Sequence, residues 1–282
     1  MNLKQLIGVG LRHLHYTKII DDLPSIGWFE IHSENFFQDG ITIETLLTIR
    51  NNYPISLHGI GLSLGSASGV LEKHLIKSKK LINLVNPFLV SEHLSWGYIN
   101  GIYMPDLLPI PYTEESLKIF IDNVNKTQNF LERNILIENP SSYLEYKATE
   151  MEEVDFLVEI CKATDASILL DINNIYVSCF NHGWDAYKYI DKVPKSLVKE
   201  IHLAGHSSKI ISKDQIILID THDNNVCLEV WQLYEYAINR FGPIPTLLEW
   251  DSNIPDLSTL QLEALKALPI LEKFSVGIGC KN

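Results

Sequence analysis

The 282-residue chain is 46% hydrophobic and 21% charged, the composition of a soluble globular protein with a sizeable core. Its net charge is −12, with arginine only at positions 12, 50, 133 and 240, which argues against nucleic acid because phosphate binding needs a basic surface. The opening MNLKQLIGVGLRHLH lacks the basic region and long apolar run of a signal peptide, and no uncharged apolar run approaches a membrane span, so a cytoplasmic protein is expected. Cys161, Cys179, Cys227 and Cys280 form no CxxC pair, which fits free thiols in a reducing compartment, with Cys179 and Cys227 as structural residues.

Short apolar runs recur along the chain, each followed by a polar cluster and an amphipathic stretch. They are LIGVGL (6–11), GWFEIHSEN (27–35), YPISLHG (53–59), FLVSEHLSWG (88–97), NILIENP (134–140), SILLDINN (167–174), KEIHLAG (199–205) and TLLEWD (246–251). Several are nearly continuous in Ile, Leu and Val, as expected of parallel strands covered on both faces. Helical spacing is read over 42–52, 70–85, 114–132, 150–164, 184–191, 226–241 and 257–272. Thr113 is a candidate N-cap ahead of two acids, and TEME (149–152) reads as a capping box with Thr149 as the cap. Eight strands alternating with helices predict a (β/α)8 TIM barrel, one domain over 1–282, with a doubly wound open sheet as runner-up. No GxGxxG follows the first strand to support that alternative.

A polar residue closes most of these strands: His58, His93, Glu138, Asp171, His202 and Glu249. After the seventh strand, IDTHDNN adds Asp220 and His222, two apart. The C-terminal mouth of a parallel barrel is where loops build an active site. Glu138 follows three apolar residues and Glu249 follows the strand run TLL, where an unpaired buried charge is costly. A set of histidines and carboxylates without cysteine suits Fe, Mn or Zn, and its size suggests two or three bridged ions. His206 is balanced between ligand, orienting partner and substrate contact. His13, His15 and His74 are expected in solvent or capping roles, His182 in a loop, and the glycine-rich GIGLSLGSASG (59–69) as a flexible loop.

The motifs GVGLR, EIHSENFF, SLHGIGLSLG, VSEHLSWG, ILIENPSSYL, LLDINNIYVS, IHLAGH, DTHD and LLEWD, in order from Gly8 to Asp251, together resemble the multinuclear non-heme iron-dependent oxidative enzymes. That family includes the methanobactin-forming enzyme and was long catalogued as a domain of unknown function. The resemblance implies a barrel of the xylose isomerase and endonuclease IV type. It implies one metal held by His58, His93, Glu138 and Glu249, and a neighbour held by Glu138, Asp171, His202 and Glu249. A third, more labile position would use Asn174, Asp220 and His222; the endonuclease has a histidine where this chain has Asn174. Glu138, Asp171 and Glu249 become the candidate catalytic carboxylates. Glu34, Asn35, Asn139, Asn173 and His206 would support the ligands or touch substrate. The implied cofactor is two or three irons, mixed-valent Fe(II)/Fe(III), with O2 as co-substrate. The implied substrate is a cysteine in a ribosomally made precursor peptide, presented with a small leader-recognition partner protein, in natural-product biosynthesis. The same ligands in a phosphodiester hydrolase or a sugar isomerase, or in a non-catalytic metal- or peptide-binding module, are the rival readings.

Overall fold

The computed structural model describes residues 2–213 and 215–279. In chain order they form β1 (Ile7–Gly10), α1 (Tyr16–Asp22), β2 (Trp28–His32), α2 (Ile41–Arg50), β3 (Ile55–His58), α3 (Glu72–Val85) and β4 (Val90–His93). Then come β5 (Trp96–Ile99), β6 (Ile102–Leu108), α4 (Glu114–Leu131), β7 (Leu136–Glu138), α5 (Glu153–Thr164), β8 (Ser167–Asp171), α6 (Ile172–His182) and α7 (Ala186–Lys192). The rest comprises β9 (Val198–Leu203), β10 (Ser207–Ser212), β11 (Gln215–Ile219), α8 (Leu228–Phe241), β12 (Thr246–Leu248), α9 (Leu257–Ala264) and α10 (Ala267–Gly279).

Eight of the strands close into a barrel in the order β1-β12-β9-β8-β7-β4-β3-β2. Neighbours such as β1 and β12, β12 and β9, and β4 and β7 pair in parallel. The fold is the (β/α)8 TIM barrel, and every strand-closing candidate therefore points to the C-terminal rim. β5–β6 and β10–β11 are antiparallel hairpins outside the barrel.

By contact, the chain resolves into two compact units. The first takes residues up to 30, 141–143 and from 170 onward. Its core gathers Tyr234, Val230, Ile238 and Leu203. The buried Tyr234 hydroxyl meets Thr246 Oγ1 at 3.0 Å. The second takes 31–140 and 144–169. There Phe156 packs against Tyr112 and Phe120, with ring centroids 5.0 and 6.4 Å apart.

Thr113 does cap α4, in a reciprocal box with Ser116. The TEME box does not form. Glu152 is the extended N-cap residue of α5, and Thr149 sits in a turn with its N–H on the Tyr146 carbonyl. β8 ends at Asp171, the strand-closing residue marked in the sequence, and the rest of that run is helical because the Asp171 carboxylate accepts the Asn174 N–H and starts α6. The helix read over 257–272 is two, α9 and α10. Pro269 has no N–H to continue the hydrogen-bond ladder, and it is tolerated in the first turn of α10. The glycine-rich 59–69 segment is pinned rather than loose. Ser63 Oγ accepts the N–H groups of Gly97 and Tyr98, and Asn123 Nδ2 donates to the carbonyls of Leu64 and Ser66. Cys161, Cys179 and Cys227 are free thiols, and Cys280 lies outside the described residues. Among the described residues no helix is long and apolar enough to cross a membrane.

Candidate metal centre

In the second unit, β3, β4 and β7 each end on a ligand-type side chain: His58, His93 and Glu138. Parallel register brings His93 directly opposite Glu138. His58 Nε2 and His93 Nε2 approach the same oxygen, Glu138 Oε2, at 3.2 and 3.0 Å. The far nitrogens are tied down: His58 Nδ1 lies 2.7 Å from Ser91 Oγ and His93 Nδ1 lies 2.9 Å from the Gly59 carbonyl. A carbonyl can only accept, so His93 carries its proton on Nδ1 and presents Nε2. Burial pushes the Glu138 carboxyl up, but the His93 and His58 imidazoles outweigh it and hold it below the usual carboxylate range. Burial opposes charging His93, yet Glu138 pulls its pKa up to about 9.

Beside this group, Glu34 accepts the N–H groups of Ile60 and Gly61 at 3.0 and 2.8 Å and meets His74 Nε2 at 3.1 Å. Burial raises the Glu34 carboxyl, and the contact with His74 overrides it, to about 2. His74 is thus held by a carboxylate rather than turned to solvent, the role expected from its helical spacing. Asn139 is fully buried, whereas Asn35 is exposed and contributes no side-chain contact to these groups.

In the first unit, ligand-type atoms of Asp171, His202 and Glu249 lie within 4.8 Å of one another. His202 is the penultimate residue of β9 and fully buried, and the strand-like reading of KEIHLAG (199–205) holds. Its Nδ1 faces Glu249 Oε2 at 3.2 Å, and its Nε2 faces Glu30 Oε1 at 3.1 Å and Glu200 Oε1 at 3.8 Å. Burial opposes charging this ring, and Glu30 leads the carboxylates that raise its pKa. Burial, reinforced by Glu30, raises the Glu200 carboxyl.

The segment after the hairpin contributes His222, whose Nε2 lies 2.7 Å from Asp220 Oδ1 while Nδ1 lies 3.0 Å from Asp251 Oδ2 and 3.4 Å from Glu249 Oε2. Gly205 makes room for it, since a Cβ there would stand 2.0 Å from the Asn224 carbonyl oxygen. Arg12 adds a cation, ion-paired with Asp251 and 4.0 Å from Glu249. Asn173 Nδ2 donates to Asp220 Oδ1 at 2.6 Å and its Oδ1 faces His206 Nδ1 at 2.8 Å. Asn174 sits one turn into α6, and what it gives Asp171 is its backbone N–H. His15, expected near solvent, is buried with Nε2 on the Pro255 carbonyl. His182, expected in a loop, ends α6 and meets the Ser142 carbonyl.

Glu30, Glu200, Arg12 and Asp251 escaped the sequence reading. The two glutamates carried a visible signal: each is a carboxylate inside an apolar strand run, WFEIH and VKEIH, two residues from a histidine and hence on its face. Arg12 and Asp251 meet across 239 positions of sequence, a pairing no local pattern announces.

The donor set fits a metal centre. It offers imidazole nitrogen and carboxylate oxygen without thiolate, with the carboxylates Glu138, Asp171 and Glu249 buried where protons or cations must balance them.

The chain matches the family model for RiPP precursor modification enzymes MbnB/TglH/ChrH over residues 6–272, RiPPs being ribosomally synthesised, modified peptides. It is 48% identical to a UPF0276 protein of Vibrio vulnificus over 266 residues, covering 94% of this chain and 91% of that one. It is 45% identical over 264 residues to a UPF0276 protein of Chromobacterium violaceum, covering 94% of each. Among solved structures, D-psicose 3-epimerase from Clostridium cellulolyticum superposes with a TM-score of 0.61 at 13% identity, covering 95% of this chain and 98% of that one. A xylose isomerase-like TIM barrel protein from Mycobacterium smegmatis, in complex with magnesium, gives 0.58 at 14%, covering 96% of each. At that identity the likeness shows the fold alone.

Proposed function

This chain belongs to the MbnB/TglH/ChrH family of RiPP precursor modification enzymes, and from that premise we propose that it is a multinuclear non-heme iron oxidase. It uses O2 to oxidise a cysteine of a ribosomally made precursor peptide, with a small partner protein recognising the leader, in the reducing cytoplasm.

The observation that carries this reading is the convergence of His58 and His93 on one oxygen of Glu138, both by the nitrogen left over after the other is tied down. Outward-tied imidazoles around a buried carboxylate are how proteins orient metal ligands. His58, His93, Glu138 and Glu249 would hold one iron. Glu138, Asp171, His202 and Glu249 would hold the next, with the two glutamates as bridges. Asp220 and His222, with Asn174, would hold a third. Such a centre, when bound, supplies one-electron chemistry with O2 and a Lewis-acidic anchor that lowers the substrate thiol's pKa.

The chain's own residues prepare the site. Arg12 offsets the carboxylates of Glu249 and Asp251. Asn173 orients Asp220 and links it to His206. The closure of strands and loops around fully buried Asp171 and His202 excludes bulk water, which would quench reactive species.

The test starts with metal content and Mössbauer spectra of protein expressed with iron. A cysteine-containing precursor peptide, with its partner, is then incubated with the enzyme under O2. Two or three irons with a mixed-valent component, and a peptide mass changed only when O2 is present, are the expected results. Tightly held zinc with no iron affinity, together with an unchanged peptide, overturns the proposal and shifts the reading to hydrolysis.

A further inference from the structure

We propose that Glu30 and Glu200 are positioning residues that fix the proton of His202 on Nε2, so that this histidine meets its metal through Nδ1, opposite to His93. The inference rests on the reading of His202 as a metal ligand and adds which of its atoms does the work and what sets the choice.

A neutral imidazole has one N–H and one lone pair, and whichever nitrogen is held by an acceptor leaves the other for a metal. In the second unit the choice is made by neutral groups. The Gly59 carbonyl takes the His93 Nδ1 proton and Ser91 Oγ partners His58 Nδ1, so Nε2 points inward from both rings. In the first unit the ring is turned round. The Nε2 side of His202 faces two buried carboxylates, Glu30 Oε1 at 3.1 Å and Glu200 Oε1 at 3.8 Å. The Nδ1 side faces Glu249 Oε2 at 3.2 Å.

Strand periodicity makes the arrangement. Glu200 and His202 lie two apart on β9 and share a face, and Glu30 comes from β2. All three ligand-type atoms lie within 4.8 Å of one another. Glu200 is fully buried, and its carboxyl lies against both Glu30 and the Nε2 edge of the His202 ring. A carboxylate on the distal N–H makes the metal-facing nitrogen a stronger donor and locks the ring, an effect worth about 10- to 100-fold in metal affinity.

The test uses the full chain loaded with Zn(II), a diamagnetic probe, with histidine labelled in 15N. Proton–nitrogen correlation spectra report which ring nitrogen carries hydrogen, and the His202 signals are assigned by their loss in His202→Asn. The expected result is a slowly exchanging proton on Nε2 of His202 and on Nδ1 of His93. Zn(II) titration of Glu30→Gln should show affinity lower by about 10- to 100-fold for one ion, with the His93 signals unmoved. Glu30→Asp, which keeps the charge but withdraws the oxygen, should give an intermediate loss and serves if Glu30→Gln does not fold.

A proton on Nδ1 of His202, with metal lost in His202→Asn, overturns the tautomer assignment and leaves the ligand reading standing. Full metal content in His202→Asn overturns both. Unchanged affinity and unchanged Nε2–H exchange in the Glu30 variants overturn the positioning role.

Discussion

The two units each build a histidine–carboxylate cluster at strand ends, and they balance charge in opposite ways. In the second unit two imidazoles share one carboxylate, Glu138, and their outer nitrogens rest on a hydroxyl and a carbonyl. In the first unit His202 stands among Glu30, Glu200 and Glu249, while His222 stands among Asp220, Asp251 and Glu249, with Arg12 as the fixed cation. One cluster can neutralise itself by protonating histidine; the other has carboxylates in excess and gains most from added positive charge. On the proposed reading, the same residue types would let one group exchange protons for metal and the other draw metal in by its excess of carboxylates.

The comparison breaks most visibly at Glu138. In the Glu138→Ala variant the two imidazoles lose their shared partner and, on the proposed bridging role, two ions lose a ligand. The expected outcome is loss of metal from both principal positions, read by elemental analysis of the purified protein. Retention of full stoichiometry would show that the first unit's carboxylates suffice alone and that Glu138 does not bridge.

Acidity separates the clusters next. In metal-free protein the folded His93 pKa is raised from 6.5 to about 9, so its stabilising contribution is complete below 6.5 and disappears as pH rises through 9. Glu138 works in the other sense: its folded value is depressed, so its contribution is present above 4.5 and is lost on acidification below that. The Tm of chelator-treated protein should therefore fall as pH climbs from 6.5 to 9, and His93→Asn should flatten that slope. Metal-loaded protein, whose ligand imidazoles are already deprotonated, should not show the fall. An identical slope in wild type and His93→Asn would mean that the Glu138 contact does not stabilise the charged ring.

Glycine substitutions sharpen the contrast on a smaller scale. A Cβ at Gly205 would stand 2.0 Å from a backbone carbonyl oxygen, that of Asn224, which cannot step aside without moving the segment that carries Asp220 and His222. A Cβ at Gly59 would stand 1.9 Å from Glu92 Oε1, the far end of a flexible side chain. Gly205→Ala should cost about 1–3 kcal/mol and lower occupancy of the Asp220–His222 position, and Gly59→Ala should cost less. Denaturant titration with metal analysis checks both, and equal costs would show that Glu92 is held as firmly as the backbone.

What the sequence showed and what it hid follow the range of the interactions. The eight barrel strands were legible because continuous apolar runs ending in polar residues are local patterns, and Thr113 because its cap lies three residues from its partner. Asn100-Gly101, both at positive φ between Ile99 and Ile102, is a strong hairpin signal that the apolar run to Gly97 obscured. Asp171 shows how one residue does two jobs: it closes β8, as the end of an apolar run indicates, and as the N-cap of α6 it turns the chain, which the run does not announce. The ligand-type residues were legible one by one. Their partners were not: which nitrogen of a ring faces a carboxylate depends on strands far apart in the chain, and periodicity gives a face but not the neighbour across it.

Ser91 offers the smallest and most local test of that last point. Its hydroxyl faces His58 Nδ1 at 2.7 Å and lies 3.4 Å from the Leu57 carbonyl, so it links the ring to its own strand. Ser91→Ala removes that polar partner of the ring and leaves strand pairing untouched, because β3 and β4 pair through backbone groups. An orienting hydrogen bond of this kind is worth about tenfold in metal affinity, the low end for such partners, since a neutral hydroxyl polarises the ring less than a carboxylate does. Competition with a chelator of known affinity would read the change. A loss as large as that of Glu30→Gln would mean that neutral and charged orienting groups are equivalent here, and the division between the two clusters would then rest on their ligands alone.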